Sequence, residues 1–256
     1  MPTTVRRDSF LFYSLASISF LETTVPLYVD NLLPFFGDDP ETQDWLREVW
    51  RAEESSHGRV TREYVARTWP EFDWPRSYER FVTVYGPRCA HELLRPSPAL
   101  EALARCVTET ETAMAYRCFA DYTSDPELAA MLRAMSADEV RHYGYFRRLF
   151  VRYDARERNS TWRKARTLVA RSQLVRDEDL RLAFESLDAG WSGSKPFARL
   201  TFEQYLERAR EIMADHFPMD EAQRMLFRPL RSGRWFERRL VSVLGHVVRR
   251  QYSLAA

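Results

Sequence analysis

Glycine is scarce, with eight in 256 residues. No alternating apolar and polar segment closed by an Asn-Gly or Gly-Gly turn occurs, which excludes hairpin-built β architectures. The long apolar periodicities that remain predict an all-α chain. Lysine is nearly absent, standing only at Lys164 and Lys195, so arginine carries the positive charge. The formal net charge is only +1, which supplies no global field for nucleic acid. Cysteine occurs three times, at Cys89, Cys106 and Cys118, an odd number without a C-x-x-C. This argues against a disulfide framework and predicts small core residues in a reducing, cytoplasmic setting. A long apolar run is also missing. "RRDSFLFYSLASISFL" (6–21) has the two arginines and apolar stretch of a signal peptide, but Asp8 interrupts the basic part and no small-residue cleavage site follows. The run falls short of the ~20 apolar residues a bilayer requires. It reads as a buried first helix, and no transmembrane segment is expected.

The length suits one large domain with a sizeable core. The expectation is a single helical domain over 1–256, with a core bundle at about 9–152 and a helical extension at about 155–256. The first helix is predicted from about Ser9 to Asn31, with the stripe Leu11, Leu15, Ile18, Glu22, Val25, Val29 and Leu32. Pro26 lacks the amide that would bond the Glu22 carbonyl, so a kink is expected there. After the loop "FFGDDPETQ", a second helix is predicted from Glu41 to Thr68, with the stripe Leu46, Trp50, Glu54, His57, Thr61 and Tyr64. "WPEFDWP" (69–75) ends it, and residues 76–94 form a less regular helical stretch.

A third helix starts after "RPSP" (95–98), where Ser97 suits a cap and Pro98 the first turn. It offers two acids on candidate inner faces, Glu109 and Glu111; small residues around Glu109 favour that one, with Glu111 in reserve. "TSDP" (123–126) is a tight turn into a fourth helix with the stripe Leu128, Leu132, Met135, Glu139, His142, Phe146 and Leu149. Glu109 lies about 15 residues before this turn and Glu139 about 14 after it, so antiparallel packing sets them at one height.

The chemistry lies in "AEESSHG" (52–58) and "ADEVRHYG" (137–144). Glu54 and His57 are three apart, as are Glu139 and His142, so each pair projects from one helix face. Either pair alone reads as a surface ion pair or a satisfied core histidine. Centred in apolar stripes and joined by Glu22 and Glu109, they need a compensating partner, because an unpaired buried charge is costly. A Glu from each of two helices and a Glu-x-x-His from each of two others is the carboxylate di-metal pattern of ferritin-like four-helix bundles. Two divalent cations would balance four carboxylates and leave two neutral imidazoles. Asp138 could orient a ligand histidine. His91, His216 and His246 have no such company and read as structural or exposed.

Four stretches, "LETTVPLY" (21–28), "WLREVWRAEESSHG" (45–58), "SPALEALARCVTETETAMAYR" (97–117) and "SADEVRH" (136–142), resemble the soluble acyl carrier protein desaturases of the plant stearoyl type. The resemblance implies Glu22, Glu54, His57, Glu109, Glu139 and His142 as ligands of two iron ions, Trp50 as the aromatic beside them, and Thr112 as the threonine on the oxygen-binding side. It also selects Glu109 over Glu111. It implies O2 as co-substrate, a ferredoxin-like electron donor, an acyl carrier protein as substrate bearer and a homodimer. The chain departs from the family in lacking most of the segment before the first ligand helix, in Thr108 where Gln is usual, and in Glu111 where Ala is usual. The last departure leaves hydroxylation or N-oxygenation on the same scaffold as an alternative, with a non-catalytic metal-binding bundle behind it. "RERNSTWRKAR" (156–166) and a basic amphipathic helix expected over 228–250 are candidate docking surfaces for an acidic carrier.

Overall fold

A computed structural model describes residues 3–89, 94–191 and 193–230. The chain is an all-α helical bundle protein; among the described residues no strand forms, and the sole β-type pairing is an isolated bridge between Phe72 and Trp191. It divides into two compact units, the first made of 1–94, 123–131 and 176–206, the second of 95–122, 132–175 and 207–256.

In the first unit, α1 (Thr3–Arg6) leads to α2 (Ser9–Thr23), whose N-terminus is capped by Asp8 accepting from the Leu11 N–H. The helix is buried nearly all round, so its core face is wider than the predicted stripe, and Ile18 is only half-buried. The expected kink at Pro26 is realised two residues earlier as a break. The Thr24 hydroxyl bonds the Leu21 carbonyl at 2.6 Å, and the chain restarts as α3 (Val25–Phe35) with Pro26 in its first turn, four residues beyond the predicted end. Ser9–Phe35 together is therefore long and apolar enough to cross a membrane, a correction to the shorter run seen in sequence. Yet 67% of its most apolar window is buried in the fold, and it carries Glu22 against α5.

The second predicted helix is three pieces. Asp39 caps α4 (Pro40–Trp45); one π-helical turn (Leu46–Trp50) follows; α5 (Arg51–Thr68) continues. α2 and α5 are antiparallel, with Gly58 against Glu22 and Thr23 near one end and Arg6 bonding the Thr68 carbonyl at the other. α6 (Trp74–Tyr85), capped by Asp73, completes an aromatic core in which Phe12 meets Trp69, Phe72, Trp191 and Phe197 with ring centroids 4.9–5.2 Å apart. Gly190 lies where a Cβ would come within 2.6 Å of the Asp73 carbonyl oxygen, so only glycine lets the 187–190 turn bond the Asp73 N–H.

The second unit is built on α7 (Pro98–Tyr122) and the greater part of α8 (Pro126–Glu157). Their register is antiparallel: Ser136 Oγ donates to the Ala113 carbonyl at 2.8 Å, Arg133 pairs with Asp121, and His142 Nδ1 lies 3.5 Å from Glu109. The start of α7 is held by Glu157, which accepts from the Ala99 N–H and the Ser97 hydroxyl. α9 (Thr161–Ser186) begins here and ends in the first unit; α10 (Phe202–His216) runs the opposite way. α11 (Met219–Phe227) packs on α7, and its Met225 carbonyl accepts from the Tyr143 hydroxyl. The three cysteines are buried free thiols. His216 closes α10, its ring edge-on to Tyr122. His91, His246 and most of the basic helix expected over 228–250 lie outside the described residues.

Candidate metal centre

The stripe read on the second helix is buried along its whole length: Leu46, Trp50, Glu54, His57, Thr61 and Tyr64 are each at most 4% exposed. Steps of four and three keep these positions on one side of α5. The π turn falls one turn before Glu54. Arg51 N–H bonds the Leu46 carbonyl there, and Trp50 stacks on Trp45 at 6.5 Å. Such single-turn π segments gather at functional sites, and this one sets the angle at which Trp50 and Glu54 enter the interior.

Within each Glu-x-x-His the imidazole Nδ1 faces the carboxylate three residues back. Glu54 Oε2 to His57 Nδ1 is 3.4 Å and Glu139 Oε2 to His142 Nδ1 is 3.1 Å. Metal–ligand bonds of ~2.1 Å at right angles hold neighbouring donors ~3 Å apart and opposite donors ~4.2 Å apart. Two buried donor groups satisfy that spacing. Glu22, Glu54, His57 and Glu139 form one and Glu54, Glu109, Glu139 and His142 the other, with all donor atoms of a group within 4.8 Å of each other. Glu54 and Glu139 belong to both. The most exposed of the six, Glu22, is 8% exposed.

This donor set fits divalent metal. Four carboxylates at this depth would repel one another and bear a large desolvation cost without cations, whereas two divalent ions and two neutral imidazoles make the interior neutral. Mixed oxygen and imidazole ligation suits first-row metals such as iron and manganese. Cys106, one turn before Glu109, does not compete as a thiolate: burial, and then the Glu109 charge, push its thiol far above the usual range.

Glu111 stands outside both donor groups; it is half-buried on α7. Thr112 is half-buried three residues beyond Glu109. Asp138 is partly exposed and its Oδ1 lies 2.6 Å from Arg141 Nη1. Sequence reasoning missed the Tyr64 hydroxyl, which donates to Asp125 at 2.7 Å, while Asp125 caps α8 by accepting from the Glu127 N–H. The signal was present as Asp before Pro at a helix start. It also missed the buried pair of Glu101 and Arg105 on α7, at 2.8 Å. A separate concavity of ≈ 640 Å³ in the first unit, lined by Arg80, Arg181, Phe184, Asp188, Arg199 and Phe202 among others, contains none of the six donors.

Comparison with protein-family models and with curated proteins finds no match to this chain.

Proposed function

We propose that the chain is a di-iron, O2-dependent oxidase that introduces a double bond into an acyl chain held on a carrier protein. The observation that carries this reading is the burial of four carboxylates and two imidazoles in two donor groups that share Glu54 and Glu139. Glu22 and His57 would serve one ion, Glu109 and His142 the other, and the shared acids both. Iron in this setting supplies, with O2, the oxidising power to remove hydrogen from an unactivated methylene, which no side chain possesses.

The chain's own residues hold and shield. Trp50, 3% exposed, closes the site one turn before Glu54, and the apolar α7 and α8 stripes keep water from the reacting chain. Thr112 offers a hydroxyl one turn from Glu109, and Asp138 a carboxylate beside Glu139. Desaturation takes two hydrogens from adjacent methylenes; with two electrons and two protons from outside, O2 leaves as two waters. The electrons require a donor of ferredoxin type. The resemblance to acyl carrier protein desaturases supports both the donor and the substrate, and by the same likeness the working form is a homodimer. Exposed Arg156, Arg158, Arg163 and Arg166 around Trp162, 73% exposed, present a basic aromatic surface suited to an acidic carrier. The buried free thiols favour a cytoplasmic setting.

Glu111 favours a second reading, hydroxylation or N-oxygenation, because it adds an acid that desaturases of this type lack. Turnover of acyl-carrier substrate under 18O2 separates them: desaturation gives an alkene without label, and a labelled product overturns it. Uptake of many irons per chain without O2 consumption would instead indicate storage.

A further inference from the structure

The six donors are not equally far from solvent. Glu22 is 8% exposed and the other five 1–4%. From Phe10 to Phe20 every residue of α2 except Ile18 is buried, whereas from Leu21 to Tyr28 every residue except Glu22 and Thr24 is at least partly exposed. Positions three and four apart share a helix face. Three of Glu22's four such neighbours, Ile18, Val25 and Pro26, are partly exposed, and no other donor has more than two. Glu22 therefore stands where α2 leaves the core.

The backbone is interrupted at the same place. Pro26 has no N–H to offer the Glu22 carbonyl. The Leu27 N–H bonds the Thr24 carbonyl, three residues back, at 2.9 Å, and the Thr24 hydroxyl donates to the Leu21 carbonyl at 2.6 Å. Upstream the chain is fixed: Gly58 of α5 lies against the backbone of Glu22 and Thr23, and the Thr23 hydroxyl donates to the Ser19 carbonyl at 2.6 Å. Leu27, 38% exposed, gives the turn little apolar anchorage. A turn with few buried apolar contacts opens locally at low cost. Thr24–Leu27 can do so while the Glu22 backbone stays on α5. The other five donors lie inside α5, α7 and α8, and none is followed by a break within the next turn.

We infer that metal ions enter and leave the centre past Glu22, through opening of the turn Thr24–Leu27, which Pro26 and the Thr24 hydroxyl keep out of the regular helical hydrogen-bond ladder. A buried metal site needs an entry path as well as ligands. Glu22 is the first of the six carboxylate and imidazole donors that a hydrated cation meets on this route. It belongs to one donor group alone, so it can exchange water for the ion without disturbing the shared acids Glu54 and Glu139. The inference rests on the metal reading of the six donors.

Cobalt(II), whose visible absorption changes on ligation, serves as the probe. The metal-free full chain is mixed with Co(II) by stopped flow, and the loaded chain with excess chelator. Pro26→Ala supplies the missing N–H and should slow both uptake and release about 2–10-fold, the worth of one hydrogen bond, with two Co(II) still bound. Pro34→Ala, in the same helix but about two turns further on, should leave both rates unchanged. Leu27→Gly loosens the exposed turn and should speed both about fivefold. It decides the matter if Pro26→Ala does not fold. Rates unchanged in both Pro26→Ala and Leu27→Gly, or slowed as much by Pro34→Ala as by Pro26→Ala, overturn the entry route while the metal reading stands. A parent chain that binds no Co(II) overturns both.

Discussion

Replacing Gly58 by alanine puts a Cβ 2.8 Å from Thr23 Oγ1, 2.9 Å from Thr23 N and 3.1 Å from the Glu22 carbonyl carbon. Ordinary contact begins at 3.4 Å, so α2 and α5 must part by about half an ångström. Rotating the threonine does not relieve this, because its hydroxyl is bound to the Ser19 carbonyl at 2.6 Å and the other two contacts are backbone. Overpacking of this kind costs about 1–3 kcal/mol, against which alanine gains about 1 kcal/mol in a helix interior. The net loss is about 0–2 kcal/mol, a fall in Tm of up to roughly 8 °C for a chain of this size. The displaced backbone is that of Glu22, and a ligand set tolerates only about 0.5 Å of misplacement, so iron content should fall as well. Thermal melts with elemental analysis of Gly58→Ala read both effects. A variant as stable as the parent with unchanged iron would refute the close approach; lost stability with full iron would detach Glu22 from the site.

Glu109→Ala should remove most bound iron and Glu111→Ala far less, since Glu109 alone belongs to a donor group; equal tolerance by elemental analysis contradicts the assignment. Burial raises the Tyr205 hydroxyl from its ordinary value of 10.0 to about 12, against a smaller lowering by Ser14. The folded chain therefore holds that proton more tightly than the unfolded one, so the stabilisation is whole below pH 10 and drains as pH rises from 10 through 12. About 3 kcal/mol is at stake, and Tyr205→Phe should flatten the alkaline limb of a urea-melt pH series. Arg158 ends α8 with a φ of 52°, so Arg158→Gly should raise stability by about 0.5–1 kcal/mol in chemical denaturation, and a loss would show that its side chain matters more than its backbone. Tyr64→Phe takes a hydrogen bond from buried Asp125 and should cost about 1–2 kcal/mol, with a neutral result assigning that carboxylate another donor.

The helices that carry the donors were legible because their apolar positions recur in steps of three and four, and the polar exceptions, Glu54, His57, Glu139 and His142, are buried with them. Counting from "TSDP" gave the α7–α8 register, and Ser136 on Ala113 matches it. The break at Thr24 was misplaced because proline marks where a hydrogen bond is missing, while the competing threonine hydroxyl decides where the chain bends. The π turn at 46–50 leaves no trace in side-chain spacing, since one wide turn shifts the phase too little over five residues. The buried Glu101–Arg105 pair has the i, i+4 spacing of a solvated surface pair, and only the packing around it distinguishes the two. Whether the donor set acts on an acyl chain lies in no single residue; it rests on a likeness of motifs, with Glu111 as its chief departure.

The most direct test is an anaerobic titration of the metal-free chain with Fe(II), read by Mössbauer spectroscopy and elemental analysis. Two irons per chain in a spin-coupled, carboxylate-bridged pair, both lost together when Glu54 or Glu139 is replaced by alanine, is the expected result. Retention of less than one iron, or of two uncoupled irons indifferent to both substitutions, would contradict it.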